Sequence, residues 1–142
     1  FPLRIRFWGG FIPAMCDLLS EKEAAELFER NLNEDFVSEY GIRTLARSEP
    51  MYNTENSSNP SNWLGAVWIV AQYCIFKGLL RAGMKDRAEE VIESKYSVLE
   101  KDIRENGHMS ESYVPETGKP MMYGGFLNWD CLPVSMQKEL DE

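Results

Sequence analysis

The segment that decides the fold reads NGHMSESYVPETGKP and spans residues 106–120. Its two glycines and two prolines interrupt any regular helix, so a non-helical conformation is predicted. It carries His108, the only histidine of the chain, and the carboxylates of Glu111 and Glu116. Catalytic groups are often found on loops that a rigid scaffold holds in place. We therefore interpret residues 106–120 as a functional loop held by the helices around it.

Two predicted helices precede this loop and form an αα-hairpin. Residues 64–82 are apolar on nearly every side, which is typical of a helix buried inside a helical assembly. Gly83 ends this inner helix, and residues 85–105 then show apolar side chains at helical spacing with charged ones opposite. The pair Asn106-Gly107 is a common helix end. The pattern predicts an inner apolar helix followed by an outer amphipathic helix.

Shorter helices are predicted on either side of this hairpin. A capping box formed by Ser20 and Glu23 begins a helix over about residues 21–32. Residues 14–19 read as a short helix that follows a proline suited to a first turn, and a last short helix is predicted from about Leu127. The predicted fold class is all-α.

Two other segments have no clear helical pattern. Residues 1–11 are rich in aromatic residues and glycine and fit either a strand or an extended lead-in. Residues 33–62 form a long connection with many Gly, Pro, Ser and Asn residues. A connection of this length in a compact domain is usually functional or a lid, and a solvated linker is the alternative.

Composition and charge exclude several classes of function. The chain has 142 residues and a formal net charge of −8, which argues against binding to nucleic acids or anionic membranes. Cys16, Cys74 and Cys131 cannot all pair and have no metal-site spacing, so buried free thiols are expected. No signal peptide is visible, which favours a cytoplasmic location. The chain begins with Phe1 in an aromatic run, and we expect it to be a piece of a larger domain.

Five short segments, taken together, resemble a known family. They are FWGGFIP at 7–13, YGIRTL at 40–45, WLGAVW at 63–68, ESYVPETG at 111–118 and FLNW at 126–129. Each is a weak motif alone. In this order, with helices between them, they resemble the C-terminal third of the (α/α)6-toroid glycoside hydrolases of family 63, which includes processing α-glucosidases and mannosylglycerate hydrolases. The resemblance extends from about Trp8 to Met136, and trehalases are more distant relatives.

This resemblance implies a fold and a reaction. Residues 1–142 would be the C-terminal portion of one catalytic domain, built from αα-hairpins of a six-hairpin toroid. The implied reaction is inverting hydrolysis of an α-glucoside or α-mannoside, without a metal or other cofactor. Glu111 stands at the position of the general base, whereas residue chemistry alone would leave Glu111 and Glu116 as ordinary exposed acids. The family's general acid is an aspartate on an earlier loop, and nothing before Trp8 could supply it.

Three positions depart from the family pattern. Leu64, Ala66 and Asn128 stand where the family commonly has arginine, proline and glycine. We expect these departures to change the details of the sugar site more than the fold.

Several residues near these motifs are candidates for binding the substrate. Aromatic faces suit the C–H faces of a pyranose, so Trp63 and Trp68 are candidate sugar contacts, with core packing as the alternative. Gly65 between them would let a sugar approach the backbone. Further candidates, at the rim of the site, are Trp8, Phe11, Tyr40 and Tyr113.

Two polar residues have two interpretations each. Arg43 could bind a sugar hydroxyl or an acidic aglycone, and a surface salt bridge is the alternative. His108 could orient Glu111 or titrate near it, and a loop histidine without function is the alternative. Trp129 is expected to belong mainly to the core.

The function predicted from these observations is therefore a glycoside hydrolase with a carbohydrate substrate. One alternative is a trehalase-like hydrolase. Another is a helical carbohydrate-binding or interaction fragment that lacks the general acid, and residues 1–142 alone are expected to be inactive for the same reason. An open piece of a toroid would expose apolar inner-helix faces, so a homo-oligomer or a partner chain covering residues 64–82 is also expected.

Overall fold

A computed structural model describes residues 4–55 and 63–142. The predictions made for residues 1–3 and 56–62, in the lead-in and the long connection, lie outside the described residues. The helices are α1 (Ile12–Met15), α2 (Glu21–Asn31), α3 (Ile69–Arg81), α4 (Lys85–Asn106) and α5 (Leu132–Asp141). The strands are β1 (Val37–Ser38), β2 (Gly41–Ile42), β3 (Ser110–Tyr113) and β4 (Pro120–Gly124), and 3₁₀ turns span Trp8–Phe11 and Trp129–Cys131. The described part of the chain is thus mainly helical, as predicted.

The central αα-hairpin is present, but its inner helix is shorter than predicted. α3 begins at Ile69 rather than at residue 64. Gly65 has a φ of +139°, which is outside the helical region. The backbone N–H of Val67 donates to the carbonyl of Tyr113 at 2.9 Å, and the N–H of Tyr113 donates back at 3.0 Å. Because these groups pair with β3, they are not available to a helix.

The segment 106–120 is not helical, which confirms the sequence prediction, but it is more ordered than a loop. Gly107 ends α4 in the left-handed conformation, with a φ of 77°. β3 and β4 then pair as an antiparallel hairpin, with Ser110 opposite Gly124 and Ser112 opposite Met122. The apolar alternation typical of strands is missing from Ser110–Tyr113, so the pairing was not visible in the sequence.

The shorter helices follow their local signals. α2 begins with the predicted capping box: the Ser20 N–H donates to Glu23 Oε2 at 2.9 Å, and the Glu23 N–H donates to Ser20 Oγ at 3.4 Å. α1 ends earlier than predicted, and Asp17 just beyond it has a positive φ of 56°. α5 begins at Leu132, later than predicted, with Pro133 in its first turn, where its missing N–H is not needed.

The described part of the long connection contains a small hairpin rather than a structureless run. β1 and β2 pair antiparallel, with Val37 opposite Ile42. Gln72 of α3, which is fully buried, donates to the carbonyl of Ile42 and accepts from its N–H, both at 2.8 Å. This side chain replaces a strand partner and fixes the hairpin to α3.

The largest hydrophobic core surrounds α3. Ile75, Phe76 and Leu79 of α3 are almost completely buried and pack with Phe28 of α2 and Met136 of α5. Fully burying one such side chain contributes roughly 1.5–3 kcal/mol. None of the residues from Ile69 to Leu80 is exposed. This part of the inner helix therefore has little exposed apolar surface, although Val70, Tyr73 and Leu80 are only partly buried.

Exposed apolar side chains are found instead on α4 and near α5. Tyr96, Ile103, Leu127 and Val134 are between 42% and 68% exposed. The expected homo-oligomer stays a prediction, and these residues are one part of the exposed apolar surface of the described ranges. In the described ranges, no helix combines the length and apolar character needed to cross a bilayer.

Lys95 of α4 is a buried amine within this fold. Its side chain has no solvent exposure, and Nζ donates to the carbonyl of Tyr40 at 2.6 Å. Burial lowers the pKa of Lys95 from 10.5 to about 7. Between about pH 7 and pH 10.5 the folded protein therefore binds fewer protons at Lys95 than the unfolded protein does. The free energy of unfolding should rise with pH in this range.

Replacing Lys95 by methionine should remove this dependence. Relative to the Lys95→Met variant, the free energy of unfolding of the wild type should increase by about 1–2 kcal/mol between about pH 7 and pH 9. Urea unfolding of both proteins across this range measures the difference. Lys138→Met, at an exposed position on α5, is the control and should leave the profile unchanged. A pH-independent difference for Lys95→Met would show that the buried amine stays charged.

Candidate active site

Glu111 lies on β3, in the middle of the hairpin that follows α4. Its side chain is partly buried, and burial raises the pKa of its carboxyl above the ordinary value. The indole Nε1 of Trp129 lies 3.5 Å from the Glu111 carbonyl oxygen, to which it donates. The backbone of Glu111 thus lies on a paired strand and contacts an indole.

Tyr113 anchors β3 to the core. The ring of Tyr113 is fully buried among Val67, Val98 and Leu99, so it is not a rim residue of the kind the sequence suggested. The same holds for Phe11, which is 3% exposed and belongs to the main core. The hydroxyl of Tyr113 accepts from the Ser110 N–H at 2.8 Å and donates to Asp102 Oδ2 at 3.0 Å.

Asp102 is buried at the C-terminal end of α4, where its other oxygen accepts from Asn106 Nδ2 at 2.7 Å. The Tyr113 hydroxyl thus connects Asp102, at the end of α4, to the backbone of Ser110. Ser110 and Tyr113 lie before and after Glu111 on β3. Burial is also the main cause that raises the pKa of Tyr113, which keeps the phenol protonated as the donor.

All four tryptophans lie in one run of aromatic rings. The ring of Trp63 stacks on Trp68 at a centroid distance of 4.3 Å and on Trp8 at 5.8 Å. Trp68 lies 6.1 Å from Trp129, which contacts Glu111. Trp68 is 2% exposed, so its packing is that of the core, whereas Trp63 and Trp8 are partly exposed. The structure therefore brings the candidate indoles and Glu111 to one region.

Gly65 and Gly118 are each covered by a tyrosine ring. A Cβ on Gly65 would lie 2.4 Å from Cε2 of Tyr52, and one on Gly118 would lie 2.7 Å from Cδ1 of Tyr40. The space beside Gly65, which the sequence interpretation assigned to a sugar, is occupied by Tyr52. Tyr40 is partly buried and packs against the turn of the β3–β4 hairpin.

Arg43 forms the salt bridge that was one of its two interpretations, but in a buried position. Its side chain is 4% exposed, and Nη2 donates to Glu116 Oε1 at 3.0 Å. The hydroxyl of Tyr52 donates to the same oxygen at 2.8 Å. Burial, the largest single influence on Glu116, acts to raise its pKa, but these hydrogen bonds together outweigh it and lower the pKa. Burial and the neighbouring Glu116 raise the pKa of Tyr52 to about 12.

Asp130 is a buried acid that the sequence analysis did not single out. It is 3% exposed, and neither carboxylate oxygen has a hydrogen-bond partner among the described residues. Burial, together with smaller contributions from the carboxylates of Asp102 and Glu111, raises its pKa to about 7. A lone acid inside the apolar run from Trp129 to Val134 was the available signal.

The remaining polar candidates are not assembled into a site. His108 is exposed, and its ring lies against Gly124 of β4. Cys16 and Cys131 are exposed and Cys74 is partly buried, so the expectation of buried thiols was wrong for the first two. They are exposed because they lie at turn or helix ends on the surface rather than at core positions. Within residues 4–55 and 63–142, no group of His, Cys, Asp or Glu is arranged to hold a metal ion.

The sequence model of the mannosylglycerate hydrolase MGH1-like glycoside hydrolase domain matches residues 2–129. The chain therefore belongs to this family of glycoside hydrolase domains. The resemblance noted in the sequence is confirmed by this match.

Curated relatives and solved structures agree with this assignment. Mannosylglycerate hydrolase MGH1 of Selaginella moellendorffii is 28% identical over 122 residues, which are 84% of this chain and 22% of the relative. A probable mannosyl-oligosaccharide glucosidase of Schizosaccharomyces pombe is 27% identical over 112 residues, covering 72% of this chain and 13% of the relative. The crystal structure of GH63 mannosylglycerate hydrolase from Thermus thermophilus in complex with glucose matches with a TM-score of 0.74 at 19% identity.

The structural match covers 98% of this chain and 30% of the Thermus protein. It shows that the helices described above have the arrangement found in the (α/α)6 toroid of that family, which confirms the predicted fold class. The chain spans less than a third of the length of each of these relatives.

Replacing Asp130 by asparagine should stabilise the fold in a pH-dependent way. The folded state holds its proton up to about pH 7 while the unfolded state loses it near pH 3.8, so wild-type stability falls as the pH rises between these values. Asp130→Asn should therefore be more stable than the wild type by about 1–3 kcal/mol at pH 8, and the gain should shrink towards pH 4.

Urea unfolding at both pH values measures this gain. Asp141→Asn, at the exposed end of α5, is the matched control and should have little effect at either pH. A destabilised Asp130→Asn variant at pH 8 would show that the Asp130 carboxylate has a partner that favours its charged form.

Proposed function

We propose that residues 1–142 form the part of an inverting glycoside hydrolase that carries the catalytic base, and that Glu111 is this base. The observation that carries the proposal is the position of Glu111. It lies partly buried on a paired strand, next to the run of indoles, in a chain that belongs to a glycoside hydrolase family. Inverting hydrolysis requires a carboxylate that acts as the general base.

The chemistry of inversion explains what Glu111 would do. Its ionised carboxylate accepts a proton from a water molecule, and the oxygen of that water attacks the anomeric carbon. The bond between the anomeric carbon and the leaving oxygen breaks as a second carboxyl group protonates that oxygen. The two groups are typically about 6.5–9.5 Å apart, which leaves room for the water. Asp130 is too deeply buried to be the proton donor.

The position of Glu111 on a paired strand suits a general base. Tyr113 and the Val67 backbone fix β3 on one side, so the backbone that carries Glu111 is restrained. Burial raises the pKa of Glu111, which makes the carboxylate a stronger base once it is ionised. We propose Trp63, Trp8 and Tyr40 as the residues whose exposed portions contact the sugar.

The proposed substrate is an α-mannoside or α-glucoside. The relatives named as mannosylglycerate hydrolases favour an α-mannoside, and the probable mannosyl-oligosaccharide glucosidase leaves an α-glucoside open. Turnover of α,α-trehalose would instead indicate the trehalase-like alternative. A cytoplasmic location stays a prediction.

Glu111→Gln tests the assignment of the base. In the intact protein this change should lower kcat by a factor of about 10³ or more, because the amide cannot accept the proton from water. Thermal unfolding should change little, since the amide keeps the shape of the side chain. Glu105→Gln, at an exposed position near the end of α4, is the matched control and should leave kcat unchanged. Full activity in Glu111→Gln would remove this residue from the mechanism.

The pH profile gives a second readout of the same residue. A base acts in its ionised form, so kcat should fall as the pH drops through the pKa of Glu111, which burial places above the usual glutamate value.

We also propose that a polypeptide of residues 1–142 alone does not hydrolyse glycosides. No group among the described residues is assigned as the proton donor, and protonation of the leaving oxygen is needed for an unactivated substrate. Incubation of the purified polypeptide with an α-mannoside and an α-glucoside, followed by detection of released sugar, measures this. Release above the rate found with Glu111→Gln would contradict the proposal.

A further inference from the structure

The turn of the β3–β4 hairpin is fastened to the rest of the chain through Glu116. This turn spans residues 114–119 and directly follows the strand that carries Glu111. Glu116 Oε1 accepts three hydrogen bonds: from Arg43 Nε at 3.1 Å, from Arg43 Nη2 at 3.0 Å and from the Tyr52 hydroxyl at 2.8 Å. Hydrogen bonds between charged groups are roughly twice as strong as neutral ones.

The other side of Arg43 is fixed to the backbone. Its Nη1 donates to the carbonyl of Val37 at 2.7 Å and to the carbonyl of Glu34 at 3.2 Å. The guanidinium is 4% exposed, so nearly all of its donor capacity is used inside the chain. Arg43 therefore has few N–H donors free to bind a substrate. Its hydrogen bonds instead join the β1–β2 hairpin to the turn after Glu111.

Tyr40 and Lys101 also contact the turn at residues 114–119. The Tyr40 ring covers Gly118, and the Tyr40 N–H donates to the Pro115 carbonyl at 3.4 Å. Lys101 of α4 lies over the Tyr40 ring and donates to the Thr117 carbonyl. The turn is therefore held from the β1–β2 segment and from α4, and Arg43 supplies a buried charge to it.

From this geometry we propose that Arg43 is a positioning residue, which acts on the reaction through Glu116 by holding the hairpin that carries Glu111. The proposal rests on the proposed function for its effect on turnover. The restraint of the β3–β4 hairpin by Arg43 is the structural part of the proposal, and it holds whether or not the chain is part of a glycoside hydrolase with Glu111 as its base. A misplacement of a catalytic group by about 1 Å can cost roughly a hundredfold in rate, so a loosened hairpin should be visible in kcat.

The kinetic test uses Arg43→Gln and Glu116→Gln in the intact protein, with an α-mannoside and an α-glucoside as substrates. Each variant should lower kcat about 10–100-fold and leave KM within about twofold. The double variant should be no worse than the more damaged single variant, because both act through one contact. Arg30→Gln is the matched control: it removes the exposed Arg30–Glu26 pair of α2 and should change neither constant.

Hydrogen exchange supplies a readout that needs no activity. Amides of residues 110–113 should exchange about tenfold faster in Arg43→Gln than in the wild type, and those of α2 should not change. Should Arg43→Gln fail to fold, Tyr52→Phe removes one donor to Glu116 and leaves the guanidinium in place. It should show the same pattern with a smaller effect.

Three results would overturn the proposal. A raised KM with unchanged kcat would show that Arg43 contacts the substrate directly. Unchanged kinetics with a lowered melting temperature would show a role in stability alone, and unchanged exchange at residues 110–113 would show that the hairpin is not restrained by Arg43. Failure of the proposed function is distinct from all three, because it would leave Glu111→Gln active whatever the exchange data show.

Discussion

The pair of backbone hydrogen bonds between Val67 and Tyr113 is the constraint on which the rest of the site depends. It fastens β3 to the extended segment just before α3, and it delays the start of that helix until Ile69. Because Val67 and Tyr113 are both fully buried, water cannot replace these bonds, and losing them would leave unpaired buried groups. The position of Glu111, two residues before Tyr113, follows from this pairing.

Buried polar groups do much of the positioning around this contact. Gln72 takes the place of a strand partner for Ile42, and Tyr113 connects Asp102 to the backbone of Ser110. Each of these side chains is satisfied, and a satisfied buried network favours one arrangement of the core over others. Asp130 differs because its oxygens have no partner among the described residues, and burial raises its pKa.

The sequence predicted the elements whose signals are local and missed those that depend on distant partners. The capping box of Ser20 and Glu23 and the stop at Gly107 are properties of neighbouring residues, so α2 and the end of α4 were predictable. The start of α3 was not, because an apolar run such as 64–68 suits a buried helix and a buried extended segment equally. Arg43 had two interpretations until Glu116, far along the chain, was placed beside it. The role of Glu111 came from family resemblance, since one glutamate among many acids has no distinctive pattern.

The arrangement of the indoles has an optical consequence. The four tryptophans of the chain are those at positions 8, 63, 68 and 129, and they form a single run of rings. The rings of Trp63 and Trp68 are stacked 4.3 Å apart with planes 8° from parallel, which is close enough for their electronic transitions to couple. Tryptophan fluorescence and the tryptophan bands of the near-ultraviolet circular dichroism thus report on this one run of rings. A sugar that settles against Trp63 would alter that emission without any attached dye.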